Sequence, residues 1–122
     1  LRLFMLRVAA AIAEAENAFG IVTGEALGQK SSQTSANLRV TSAVTEFPVH
    51  RPLLSSDKPT ITQRARDIGT YDDATIPAGC NRIAPTYPET AASLAAVRRA
   101  EPDDIDALAR TAARDARLAT GE

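Results

Sequence analysis

Two short extended runs, each followed by a helix-forming stretch, constrain this chain more than any other feature. The first is Ile21, Val22 and Thr23, closed by Gly20 and Gly24. The second is "PVHRPLL" at 48–54. Pro48 and Pro52 leave about four residues there able to pair fully, because proline has no N–H for a sheet ladder. Residues 2–17 are alanine-rich, lack Gly and Pro and read as a helix that Gly20 ends. That helix is apolar on most sides, so more than one neighbour should cover it. A second helix follows "GEALGQK", capped by Ser31 or Ser32. A third is capped by Ser56 or Asp57, takes Pro59 in its first turn, aligns Ile61, Ala65 and Ile68 on one face and stops at Gly69. Residues 70–86 read as a loop. "YPETAASLAAVRRAEP" and "DDIDALARTAARDARLA" read as helices, the latter with Asp103 and Asp104 at its positive end. Its large apolar anchors are Ile105, Leu108 and Leu118 alone, which predicts a helix marginal in isolation.

Strands alternating with helices imply an α/β fold with a parallel sheet covered on both faces. Two strands make a poor sheet by themselves. The order therefore predicts the second half of a doubly wound, Rossmann-like parallel sheet with C-terminal helices. With 122 residues, 44% of them hydrophobic, the chain suits one domain or part of one. It opens inside a helical pattern without an initiator methionine, so we expect its true start upstream.

Net charge is −1 and the pI is near 5.9. A domain that grips nucleic acid by charge alone is usually basic, so strong unaided binding of RNA or DNA is not expected. One cysteine cannot form an internal disulfide or a thiolate metal cluster, and a lone His50 adds no metal constellation. A metal-free, cytoplasmic chain is the expectation. The uncharged N-terminal run, Val8 to Ala13, is far too short to span a bilayer, although composition alone would also fit a signal peptide.

Ligands of open α/β sheets sit at the carboxyl ends of the strands, and two segments fall there. In "TGEALGQKSSQT", Gly24 and Gly28 would let backbone approach a ligand, and the next helix would offer N–H groups to an anion. The same glycines also suit an ordinary strand-to-helix turn. In "RPLLSSDK", Lys58 at a helix start is unfavourable by a few tenths of a kcal/mol, a sign that a phosphate would reverse. A solvated surface lysine, compensated by Asp57, is the other reading. Cys80, in "TIPAGCNRIAP", has small or polar neighbours and Arg82 close by, which would favour a thiolate. An inert buried thiol is the commoner state of a free cysteine. Asp72–Asp73 and Asp103–Asp104 read as caps, and nothing places His50 near Cys80.

The strings "VTGEALGQKSSQTSANL", "RPLLSSDK", "ARDIGTYD" and "PAGC", in that order and spacing, resemble the tRNA uracil 4-sulfurtransferase family, whose members also serve thiamine biosynthesis. The resemblance runs from about Arg2 to Arg99. It implies an ATP-pyrophosphatase domain of the adenine nucleotide alpha hydrolase type, with residues 1–100 as its C-terminal half and 101–122 as a helical tail. It implies ATP, with Mg2+, as cofactor: ATP adenylates C4-oxygen of a tRNA uridine, and persulfide sulfur then displaces AMP to leave 4-thiouridine. Many members also supply sulfur to the thiamine thiazole. Position by position, Arg2, Gly24 and Gln33 fall at nucleotide contacts, Lys58 at the active-site lysine and Cys80 at the cysteine that handles sulfur. Lys58 would neutralise charge as pyrophosphate or AMP leaves.

The sequence departs from the family pattern in three respects. The glycine-rich pyrophosphate loop and the N-terminal RNA-binding region are not among these residues, so turnover by this chain alone is not expected. No rhodanese domain follows "ARLATGE", which points to the archaeal branch. Ile83 stands where a CxxC partner of Cys80 would be. Either Cys80 carries the persulfide, or sulfur arrives on another protein, such as a cysteine desulfurase, or as sulfide. The implied partners are tRNA and that donor, with a homodimer through the sheet edge as a further expectation. Competing readings are an AMP-forming amide ligase on the same sheet and a non-catalytic interaction module built on the alanine-rich helices.

Overall fold

The computed structural model describes residues 1–29, 32–77, 79 and 87–117. Cys80, and the end of the last expected helix with Leu118, lie outside them.

The first helix, α1 (Arg2–Ala15), ends earlier than expected, and Asn17 rather than Gly20 ends it. Asn17 takes a left-handed φ of 53°; its N–H bonds the Glu14 carbonyl and the Ala18 N–H bonds that of Ala13. This is the double bond of a Schellman close, which asparagine tolerates. Gly20 serves a different need. A Cβ there would sit 2.9 Å from His50 Nε2 and 3.0 Å from the Pro48 carbonyl, so a side chain would push the His50 ring and the second strand aside.

The strands β1 (Ile21–Val22) and β2 (Val49–His50) pair in parallel, with Ile21 opposite Val49 and Val22 opposite His50. Among the described residues, one face of the pair is covered. Ile21 is buried with Leu6 and Ala13, flanked by Ala9, Ala10, Val44 and Phe47, whereas Val22 on the other face is 72% exposed.

The second helix, α2 (Ser35–Ser42), starts after the expected caps. Thr34 is its N-cap, accepting from the Asn37 N–H at 3.2 Å. The turn runs on to Gln33, whose N–H bonds the Gln29 carbonyl, so Ser32 is still inside the turn. The third helix, α3 (Lys58–Asp67), begins at Asp57, carries Pro59 in its first turn and closes before Gly69 at φ 79°. A four-residue helix, α4 (Tyr71–Ala74), occupies part of the expected loop, and the Arg66 guanidinium lies 4.5 Å from the Tyr71 ring centre.

The fifth helix, α5 (Leu94–Ala100), is much shorter than its alanine-rich sequence predicts. The cause is tertiary. Thr34 Oγ1 donates to the Thr90 carbonyl at 2.7 Å, and Asn37 Nδ2 donates to the Glu89 carbonyl at 2.6 Å. The Ala92 N–H donates to Asn37 Oδ1 at 2.9 Å. These backbone groups are taken by α2 and cannot join a helical ladder, so the helix starts at the Ser93 cap.

The last helix, α6 (Ile105–Arg114), gains from α1 the support its sparse anchors cannot give. Ala109 is buried at 2% exposure. Arg7, on α1, forks onto both carboxylate oxygens of Glu101 and donates from Nε to Asp106 at 2.8 Å. Arg7 and Glu101 side chains are only 14% and 15% exposed. Arg7→Ala should therefore cost about 2 kcal/mol, because it strands a half-buried carboxylate. Arg7→Lys should recover only part of that, since an ammonium cannot make the fork. Urea unfolding of the variants checks both.

Candidate nucleotide site

Parallel pairing brings the exits of both strands to one end of the sheet. The Thr23 N–H continues the ladder to the His50 carbonyl at 2.9 Å, and the Leu27 N–H bonds the Leu54 carbonyl at 3.0 Å. The two segments singled out by sequence are thus tied together through their backbones.

Glu25 is the hub of this end. Its Oε2 accepts from Arg51 Nε at 2.8 Å and from the Thr23 hydroxyl at 3.2 Å. Its Oε1 lies 3.9 Å from Arg2 Nη1. Arg51 and Glu25 are 12% and 15% exposed, and Arg2 is more open at 38%. Sequence reasoning singled out neither Glu25 nor Arg51. The signal was present: opposite charges just beyond two strands that must pair in parallel.

Gln33 folds back onto the same turn. Its Oε1 accepts from the Ala26 N–H at 2.7 Å, and Ala26 is 1% exposed. That donor fixes which end of the amide is oxygen, so Nε2 is the end left to donate. Gly28 is needed by the turn, at φ 75°, and it hydrogen-bonds the Gln33 carbonyl. Gly24 is different: its φ is not positive, and a Cβ there would meet no atom within 4 Å. The turn itself does not require glycine at 24, and space lies beside it.

Lys58 is the exposed first residue of α3. Asp57 serves as the cap, accepting from the Thr60 N–H at 2.8 Å. Hydrogen bonds from Thr60, hydroxyl first and backbone N–H second, hold the Asp57 carboxyl below its ordinary 3.8. Lys58 lines a shallow groove with Thr60, Gln63 and Arg66, whereas Arg2 lines a separate cleft with Ser32, Asn37 and Thr41. The structure therefore gathers Arg2, Gly24 and Gln33 around the first exit, and puts Lys58 four residues beyond the Leu54 tie. No group of three or more His, Cys, Asp or Glu suited to a metal ion occurs among the described residues. No described helix is long and apolar enough to cross a membrane.

A parallel pair whose exit loops are cross-tied and carry the polar side chains is how open α/β folds build ligand sites. Comparison with known proteins makes the class specific. Residues 1–104 match the model of the thiamine biosynthesis protein (ThiI) family. A probable tRNA sulfurtransferase of Halobacterium salinarum is 55% identical over 93% of this chain. One from Clostridium kluyveri is 38% identical over 94% of it. The crystal structure of a 4-thiouridine synthetase–RNA complex with bound ATP superposes with a TM-score of 0.82 at 35% identity, over 93% of this chain. The chain belongs to the ThiI family. It spans 29% of the Halobacterium relative, and 31% of the chain in that crystal structure.

Proposed function

We propose that this chain forms part of the nucleotide site of a tRNA uracil 4-sulfurtransferase. In this reading residues 1–100 are the C-terminal half of an ATP-pyrophosphatase domain and 101–122 a C-terminal helical tail, of which α6 packs on α1. ATP, with Mg2+, activates a tRNA uridine at C4 and AMP leaves when sulfur arrives, in the cytoplasm where tRNA is found. Sulfide, or a persulfide on a donor such as a cysteine desulfurase or on Cys80, supplies that sulfur. In the persulfide case a second thiol attacks the inner sulfur, so that a disulfide forms and the thiocarbonyl is released. The same source serves the thiamine thiazole.

The observation that supports this reading most is the cross-tied sheet exit. Glu25 joins Arg51 on one loop to Arg2 on α1, beside the open flank of Gly24. Arg2 supplies charge to the nucleotide, Gly24 lets its backbone approach, and Gln33 donates from Nε2. Lys58, at the start of α3, offsets negative charge on the departing group. Cys80, which follows α4 in the sequence, handles sulfur.

Gly24→Ala separates ligand binding from folding. The fold has room for the methyl group, so the unfolding free energy should hold or rise by about 0.5 kcal/mol. ATP affinity of the intact protein, measured by calorimetry, should fall roughly tenfold, or about 1.4 kcal/mol. An unchanged affinity removes Gly24 from the site. If the unsubstituted intact protein binds no ATP, and makes no 4-thiouridine by nucleoside mass spectrometry, the functional reading fails outright.

A further inference from the structure

The geometry points to Arg51 as a second phosphate-binding arginine beside Arg2, with Glu25 as the residue that positions both; this rests on the nucleotide-site reading above. Arg51 commits Nε to Glu25, and its Nη2 is enclosed with no hydrogen-bond partner among the described residues. A guanidinium cannot lose its proton to relieve an unmet N–H, so the group calls for an acceptor, and best a negative one. Glu25 does not supply it. Its Oε2 already takes Arg51 Nε and the Thr23 hydroxyl, and its Oε1 faces Arg2.

The charge count leads the same way. Two guanidiniums share one carboxylate, which leaves one positive charge over. That surplus is shared between Arg51, 12% exposed, and Arg2, 38% exposed, so water screens it weakly on the Arg51 side. It also sits at the carboxyl end of parallel strands, with open space beside Gly24 next in the chain to Glu25. A nucleotide phosphate matches each feature. It is anionic, it offers several acceptor oxygens, and it suits the planar edge of a guanidinium. Glu25 fixes the Arg51 Nε edge, which sets the direction of the Nη edge, while its second oxygen, 3.9 Å away, draws Arg2 by charge alone.

Calorimetry on the intact protein with ATP, adenosine and tRNA tests this, with urea unfolding as the check on folding. Arg51→Ala should raise the ATP Kd about tenfold and leave adenosine and tRNA affinities within about twofold. Arg51→Lys keeps the charge but not the fork, so it should recover part of the loss and serves if the alanine variant does not fold. Glu25→Gln keeps an oxygen for Arg51 Nε but frees Arg2, and should weaken ATP about threefold with adenosine unchanged. Equal losses for ATP and adenosine would mean a structural role and overturn the proposal. So would a loss for tRNA alone, which would assign the arginine to RNA phosphate. Glu25→Gln binding ATP as tightly as the unsubstituted protein removes Glu25 from the proposal. ATP binding that is sound in the unsubstituted protein and unmoved in both Arg51 variants sinks this inference while leaving the functional reading in place.

Discussion

Cys80→Ser in the intact protein should cut 4-thiouridine formation by on the order of a thousandfold or more while tRNA-dependent release of pyrophosphate from ATP continues. The chemistry sets the size of the effect. Sulfur transfer through a persulfide requires a sulfur atom that can be attacked, can leave and can form an S–S bond. A serine hydroxyl can do none of these, and at neutral pH it is scarcely ionised. Activation of the uridine, in the proposed reading, draws instead on the nucleotide side of the site, to which Arg2, Gly24, Gln33 and Lys58 are assigned. Loss of both half-reactions together would point to a damaged fold. Survival of thiolation would take Cys80 out of the sulfur path, whatever the nucleotide does.

Asn37→Asp is expected to destabilise the protein by about 3 kcal/mol or more at neutral pH. Asn37 is buried at 8% exposure and uses its whole amide. Nδ2 donates to the Ser32 carbonyl at 2.9 Å and to that of Glu89 at 2.6 Å, and Oδ1 accepts from the Ala92 N–H at 2.9 Å. An aspartate keeps the acceptor but turns both donors into a negative oxygen facing two carbonyl oxygens. Burial and those carbonyls would raise the new carboxyl above its unfolded value. The penalty is therefore full above the raised value and shrinks as the pH falls through it, because a protonated acid regains one donor. Asn37→Ala, which loses the bonds without adding charge, should cost less and show no such pH dependence. Urea unfolding from about pH 4, near the usual carboxyl value, up to about pH 8 separates the two variants.

How much of the site the sequence disclosed varies residue by residue. The "TGEALGQ" and "RPLLSSDK" strings marked both exit loops, and the loops lie side by side. The sequence put opposite charges just beyond both strands but did not show that Glu25 and Arg51, 26 positions apart, meet at 2.8 Å. Nor did it show that the Gln33 oxygen is already spent on Ala26. Resemblance can assign a position to a site, but it cannot show which atoms of a side chain remain uncommitted.

The fold divides in a similar way. The sequence determined what depends on neighbours along the chain: the helix–strand alternation, the Asp57 cap, the stop at Gly69 and hence a parallel pair. Such signals act through one turn of backbone, and a short window contains them. Tertiary structure alone decided where α5 begins, which face of the sheet is covered among the described residues, and what holds α6. Arg7 and Glu101 are 94 positions apart, and Asn37 and Ala92 are 55 apart. Contacts of that span form only once the chain has folded back on itself, and a buried amide or carboxylate then captures backbone groups that local propensity had assigned to a helix.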